Sequence, residues 1–227
     1  MINFLTKKSL FHREAQRSHR ELQKNHNTNM KIIFATQNPG KAKEVKALFK
    51  NSYFEIFSLY DLGNKIEIEE HGTTFSENAF IKANEIWKIY MQPVIADDSG
   101  LEIDQLDCRP GVYSARYAGE NCTFEENNIK VINELKNFSE PHHAKFISHA
   151  VYYDGKNKID SIGELHGVVI NEQRGKNGFG YDPIFIPDGF DKTISEMDFD
   201  FKNKISHRYQ SFSQLKNKLI ELFKVAV

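Results

Sequence analysis

The chain has 227 residues, with 30 Lys and Arg against 31 Asp and Glu, a formal net charge of −1. Its 13 Gly, 6 Pro and 2 Cys exclude collagen-like, low-complexity and disulfide-rich classes, and no apolar run approaches the roughly 20 residues that span a bilayer. A charge so near zero also argues against a broad basic coat for nucleic acid, so neither a membrane nor a nucleic-acid partner is expected.

The neutrality is an average over two unlike pieces. Residues 1–29 hold six bases and two acids, a net of +4, which leaves 24 bases and 29 acids, a net of −5, for residues 30–227. The first piece has no Gly, few apolar residues and no amphipathic period, and it lacks the apolar core of a secretory signal. It reads as a disordered N-terminal extension, or as sequence upstream of a start at Met30.

Lys31–Thr36 is a short apolar β-type run. The loop Gln37-Asn38-Pro39-Gly40 breaks it, and Lys41–Lys50 then reads as helix, with Val45, Leu48 and Phe49 on one side. Strand, turn and helix in that order place a helix N-terminus at a strand end, a natural anion site. Thr74–Met91 is a second helix, opened by a capping box at Thr74 and Glu77, with Ala79, Ala83, Ile86, Trp87 and Tyr90 as its buried stripe. Pro93 stops it, and Val94–Ala96 begins a strand that runs into Asp97-Asp98-Ser99-Gly100. Thr123–Phe138 is a third helix, with Ile129, Ile132 and Leu135 in phase. Phe146–Tyr153 and Lys158–Ile170 read as a hairpin about Asp154-Gly155-Lys156-Asn157. The Gly-rich stretch Gly175–Asp182 leads into a short strand, Pro183–Ile186. The last helix runs from near Ser206 to about Lys224, with Phe212, Leu215, Leu219, Leu222 and Phe223 as its apolar face. The mixture predicts one α/β domain over residues 30–227. Cys108 and Cys122 form no CxxC pair and read as free thiols in a reducing cytosol.

Four segments carry chemistry. Thr36, Gln37, Asn38, Pro39, Gly40 and Lys41 offer a hydroxyl, amides and an ammonium suited to phosphate oxygens, although the loop is no Walker A motif and alone reads equally as a capping turn. Asp97 and Asp98 end an apolar strand, where two acids cost stability unless a cation uses them. Adjacent strand side chains point oppositely, so one Asp is expected to face the site and the other to support a neighbour. Glu67-Ile68-Glu69-Glu70-His71-Gly72 could add a further carboxylate. Gly178-Phe179-Gly180-Tyr181-Asp182 combines backbone freedom with two aromatics suited to a planar base, and Lys202, Ser206, His207 and Arg208 place cations at another helix start. Together the four read as a nucleotide site with Mg²⁺.

The strings TQNPGK, ADDSGLEID, PGVYSARYAGE, GFGYDPIFIP and the closing K…ISHR resemble the inosine triphosphate pyrophosphatase family, in unbroken order from Lys31 to the C-terminus. The resemblance implies an elongated α/β mixed-sheet fold with two lobes around a central substrate cleft, a cytoplasmic homodimer, and Mg²⁺-dependent hydrolysis of ITP, dITP or XTP to the monophosphate and pyrophosphate. Such a reaction removes deaminated purines before they enter DNA or RNA. Carried over by motif, Thr36 through Lys41 and Lys82 would bind the triphosphate. Asp98 would be the catalytic carboxylate and a metal ligand, Glu69 the second metal acid, with Glu70 as its neighbouring alternative, and Ser99 a substrate contact. Phe179, Gly180, Tyr181, Asp182, Lys202, His207 and Arg208 would hold the nucleotide and its base. Gln37 and Pro39 stand at variable positions, and Lys176-Asn177 precede Gly178 where smaller residues are usual. Two other readings remain: a house-cleaning pyrophosphatase of the Maf-like kind, and a nucleotide- or RNA-binding module without catalysis.

Overall fold

The computed structural model describes residues 29–63 and 66–225. The expectation for residues 1–29 therefore lies, but for Asn29, outside the described residues. Strand β1 (Met30–Phe34) leads through helix α1 (Pro39–Phe49) to β2 (Phe54–Ser58), which pairs parallel with β1. A single turn, α2 (Leu59–Leu62), and the helix α3 (Phe75–Tyr90) follow, and then the long strand β3 (Val94–Ile103) and the two-residue β4 (Arg109–Pro110). A 3₁₀ segment, Gly111–Arg116, precedes α4 (Phe124–Leu135), and the strands β5 (His142–Tyr153) and β6 (Lys158–Val169) form the expected hairpin. The chain ends with β7 (Phe185–Pro187), α5 (Phe199–Ile205) and α6 (His207–Phe223). The sheet is seven-stranded and mixed, in the order β2-β1-β3-β5-β6-β7, with β4 added beside β3. No helix among the described residues is long and apolar enough to cross a membrane.

Local chemistry sets the boundaries. Helix α1 starts two residues before the expected Lys41, because Asn38 accepts hydrogen bonds from the Gly40 and Lys41 amides and Pro39 fills the first turn. Thr74 with Glu77 forms the capping box read in the sequence, and Thr123 with Glu126 forms a second. The stripe expected on α4 is shifted: Asn127, Asn128, Val131 and Leu135 are buried, whereas Ile129 is exposed. Strands β2 and β4 and helix α5 had no periodicity long enough to declare them.

Strand β3 is the axis of the molecule. Its odd-numbered side chains face α1 and α6 from Ile95 to Ser99, and α4 at Leu101 and Ile103. Ile95 joins one apolar cluster with Phe34, Val45, Tyr152, Phe212 and Leu215. Leu101 and Ile103 join another with Val131, Leu135, Phe146 and Phe185. Between these clusters the same face carries Asp97 and Ser99, and the register puts Ser148 of β5 opposite Ser99. A polar band thus interrupts the core where α6 begins. The even-numbered face packs Val94 and Ala96 against Ala79, Ala83 and Ile86 of α3, and it then reaches Asp98.

Candidate active site

Strand β3 is paired along its length with β5, but on its other edge β1 stops at Ile95 and β4 starts at Glu102. The intervening backbone, Ala96 to Leu101, has no strand beside it. Here a cleft of about 370 Å³ opens, lined among others by Thr36, Lys41, Glu70, Lys82, Asp98 and Phe179. Side chains from both faces of β3 reach around the open edge into one space.

The loop after β1 supplies one wall. Asn38 donates its backbone N–H to Thr36 Oγ1 at 3.2 Å, and its side chain accepts from Gly40 and Lys41 at 2.8 and 3.2 Å. The first free amides of α1 are therefore capped by Asn38, and what this helix start offers an anion is the Thr36 hydroxyl and the Lys41 ammonium. Gln37 is exposed at the cleft and donates to the Ile66 carbonyl at 2.6 Å. It tethers the extended segment that carries Glu70. A Cβ at Gly40 would lie 2.6 Å from the Phe179 ring, so only glycine lets that ring close over the loop.

The adjacent acids divide as strand alternation requires. Asp97, 2% exposed, accepts from Lys41 Nζ at 3.0 Å and Arg208 Nε at 3.2 Å. Burial alone would raise its carboxyl; Lys41 and Arg208 overcome that and hold it well below the usual carboxylate range. Asp98 faces α3, accepting from Lys82 Nζ at 3.2 Å, from Asn78 Nδ2 at 3.1 Å and from the Ser99 amide. Lys82 also donates to Glu70 at 3.0 Å. Burial opposes the charge on Lys82, but Asp98 and Glu70 beside it raise its pKa above the ordinary lysine value. Glu69 is placed elsewhere: it is exposed and lines a separate depression with Glu67 and His71, while Ile68 and Glu70 face the cleft. The acid brought to Asp98 is Glu70 and not Glu69, because side chains alternate along this extended segment.

The last two helices close the other side. Lys202 of α5 bridges Glu44 at 3.0 Å and Asp182 at 2.6 Å, and its Nζ stands 4.4 Å from the Phe179 ring centroid. Asp182 in turn accepts from the Phe179 amide at 2.8 Å and fixes the Gly-rich turn. Gly178 and Gly180 adopt φ of 79° and 64°, which lets Phe179 reach across. Tyr181 points inward and donates to the Ser114 carbonyl at 2.9 Å. Ser206 caps α6. His207 stacks on Phe146 at 4.8 Å, its Nδ1 buried without a partner, and burial followed by Arg208 and Lys202 keeps the ring neutral. Arg208 binds Glu44 at 2.6 Å, Asp97, and the Ser99 hydroxyl at 2.9 Å. This guanidinium, expected at the base, lines the cleft and also cross-links α1, β3 and α6.

Glu44, Asn78 and Glu70's pairing were missed from the sequence. Glu44 sits on an apolar helix face, and its partners lie more than 150 residues away. Asn78 follows a capping box, which explains an asparagine there without a site; in the structure it also accepts from the Gly72 amide at 2.8 Å and clips the acidic segment to Asp98.

Two carboxylates, Asp98 and Glu70, thus converge on one ammonium at a cleft that ends in an aromatic wall and a neutral histidine. Such an arrangement suits a ligand with an anionic tail and a planar head. The Ham1 family model matches residues 32–218. The dITP/XTP pyrophosphatase of Thermoanaerobacter pseudethanolicus is 45% identical over 193 residues, covering 85% of this chain and 98% of that protein. That of Bacillus subtilis is 48% identical over 191 residues, covering 83% and 96%. Among solved structures, a HAM1 protein from Coxiella burnetii superposes with a TM-score of 0.77 at 38% identity, over 85% of this chain and 99% of that one. The Staphylococcus aureus Ham1 protein superposes with a TM-score of 0.74 at 36% identity, over 83% and 97%.

Proposed function

The chain belongs to the Ham1 family and is a hydrolase, and on that premise we propose that it cleaves deaminated purine nucleoside triphosphates, ITP, dITP and XTP, to the monophosphate and pyrophosphate. The observation that carries this reading is the meeting of Asp98, Glu70 and Lys82 at the open edge of β3. Its curated relatives bear the name dITP/XTP pyrophosphatase.

The donor set fits Mg²⁺. That ion takes one or two carboxylates and completes its shell with water and substrate phosphates, and Asp98 and Glu70 are the two carboxylates within reach of one point. The charge of the site argues the same way. Five carboxylates, Glu44, Glu70, Asp97, Asp98 and Asp182, are tied to four cations, Lys41, Lys82, Lys202 and Arg208. With no excess of positive charge, the cleft needs a counter-ion to accept a triphosphate. Bound there, Mg²⁺ would neutralise phosphate charge and polarise the anhydride.

The chain's own groups do the rest. Asp98 orients the attacking water and takes its proton. Lys41 and Lys82 meet the charge on the departing pyrophosphate. Phe179 covers the base, and the neutral His207, which lines the cleft, can donate to a purine 6-oxo group where adenine presents a donor of its own. Removal of these nucleotides keeps them from polymerases; a homodimer in the cytoplasm is the expected setting.

The test is pyrophosphate release with and without Mg²⁺ across ITP, XTP, GTP, ATP and a modified pyrimidine triphosphate. Mg²⁺-dependent release confined to ITP and XTP supports the reading. Preference for the pyrimidine, or binding without release, sinks it.

A further inference from the structure

Of the cations among the described residues that line the cleft, four are committed. Lys41, Lys82, Lys202 and Arg208 each contact a carboxylate at 3.2 Å or less. The fifth, Arg116, is different. Its nearest carboxylate is Glu120 at 3.8 Å, and Glu120 is 83% exposed, so that contact is a weak, water-screened one. The guanidinium lies over the exposed Tyr113 ring, 5.4 Å from its centroid, and its side chain is 35% exposed.

The position of Arg116 is fixed although its charge is uncommitted. It ends the 3₁₀ segment Gly111–Arg116, which seals the open edge of β3 just past Asp98 and Ser99. Ser114 accepts from the Leu101 amide at 3.0 Å. Gly100 has no room for a Cβ, because Gly111 and Ser114 lie against it. The flanking Ala115 carbonyl accepts from Asn127 of α4. This segment is therefore the wall opposite the Thr36–Lys41 loop, with the phosphate-end groups Asp98 and Lys82 between the two.

We propose that Arg116 is a substrate-contacting residue that binds the phosphate tail from the wall opposite Lys41. The proposal rests on the nucleotide reading above and adds the group that receives the tail's remaining charge. A planar guanidinium can engage two phosphate oxygens at once, which an ammonium cannot. Because its present partners are a solvated acid and an aromatic face, it leaves them at little cost when an anion arrives.

The experiment measures binding of tripolyphosphate and of inosine separately by calorimetry, with Mg²⁺, in wild type, Arg116→Ala and Arg116→Lys, alongside ITP turnover and melting temperature. Tripolyphosphate has no base and inosine no phosphate, so the two probes divide the cleft. The expected result is a tripolyphosphate affinity about tenfold weaker in Arg116→Ala, partly recovered in Arg116→Lys, with inosine binding and melting temperature unchanged. The KM for ITP rises accordingly. Tripolyphosphate affinity within twofold of wild type overturns the proposal, as does an affinity loss seen for inosine instead. Failure of the wild type to hydrolyse ITP overturns the proposed function alone, since the comparison of tripolyphosphate affinities still decides the role of Arg116.

Discussion

Among single residues, Asp98 and Glu70 carry the sharpest expectations. Asp98→Asn keeps the shape and the contact with Asn78 but removes the base, so ITP turnover falls by roughly 10²–10⁴-fold with an unchanged circular dichroism spectrum. Glu70→Gln raises the Mg²⁺ concentration needed for half-maximal pyrophosphate release, while Glu69→Gln leaves it as in wild type; equal effects would contradict the placement of these two side chains. Asp98 was legible because two acids ending an apolar strand are costly without a partner. The choice between Glu69 and Glu70 was not, because in an extended segment one step of register reverses the face, and the register is set by Gln37 holding Ile66 and Asn78 holding Gly72. Glu44 was illegible for a further reason. Its partners are Lys202 and Arg208, 158 and 164 positions along the chain, and no local pattern encodes such a distance.

At the scale of elements, the site depends on how closely α6 lies on the hairpin. A Cβ at Gly163 would stand 2.6 Å from the Ser211 amide, and Ser161 Oγ donates to the Ser211 carbonyl at 2.8 Å. Gly163→Ala must therefore lift the first turns of α6, at a cost of roughly 1–3 kcal/mol, readable as a lower urea midpoint. Because Arg208 rides on that turn, activity falls with it; a variant of normal stability and activity would show that the contact tolerates a methyl group. The helices α1, α3, α4 and α6 could be read from their caps and periods, as could the hairpin of β5 and β6. What could not be read was the extent of β3. Its polar centre, Asp97 to Gly100, resembles a turn, and only the ten-residue register with β5 shows it to be strand throughout. The break in the core is the price of the site.

For the molecule as a unit, the buried charges tie stability to pH with a definite sign. His207 has its pKa lowered well below 6.5 by burial, with Arg208 and Lys202 adding to it, and His149 is lowered by burial as well. His207 is neutral in the folded chain and His149 takes up its proton at a lower pH than it does unfolded, whereas in the unfolded chain both take up protons below about pH 6.5. Their contribution is fully present above that value and is lost as the pH falls, by up to about 1.4 kcal/mol per pH unit for each ring. Urea titrations between pH 7 and 5 should show this decline, and His207→Gln should flatten part of it. An identical slope in the variant would mean that the ring is accessible to protons in the native state.

Glu44 of α1 is neutralised by Arg208 and Lys202, which belong to the last two helices, and Asp97 of β3 shares Arg208 with Lys41. Removing one partner of a buried pair costs about 3–5 kcal/mol, a large part of a domain's margin. A polypeptide interrupted before α5 would therefore be left with Glu44 uncompensated at its centre and Asp97 half paired, and it would fail to fold rather than persist as a weak catalyst. The ion network thus couples the folding of α1 and β3 to the presence of the last two helices.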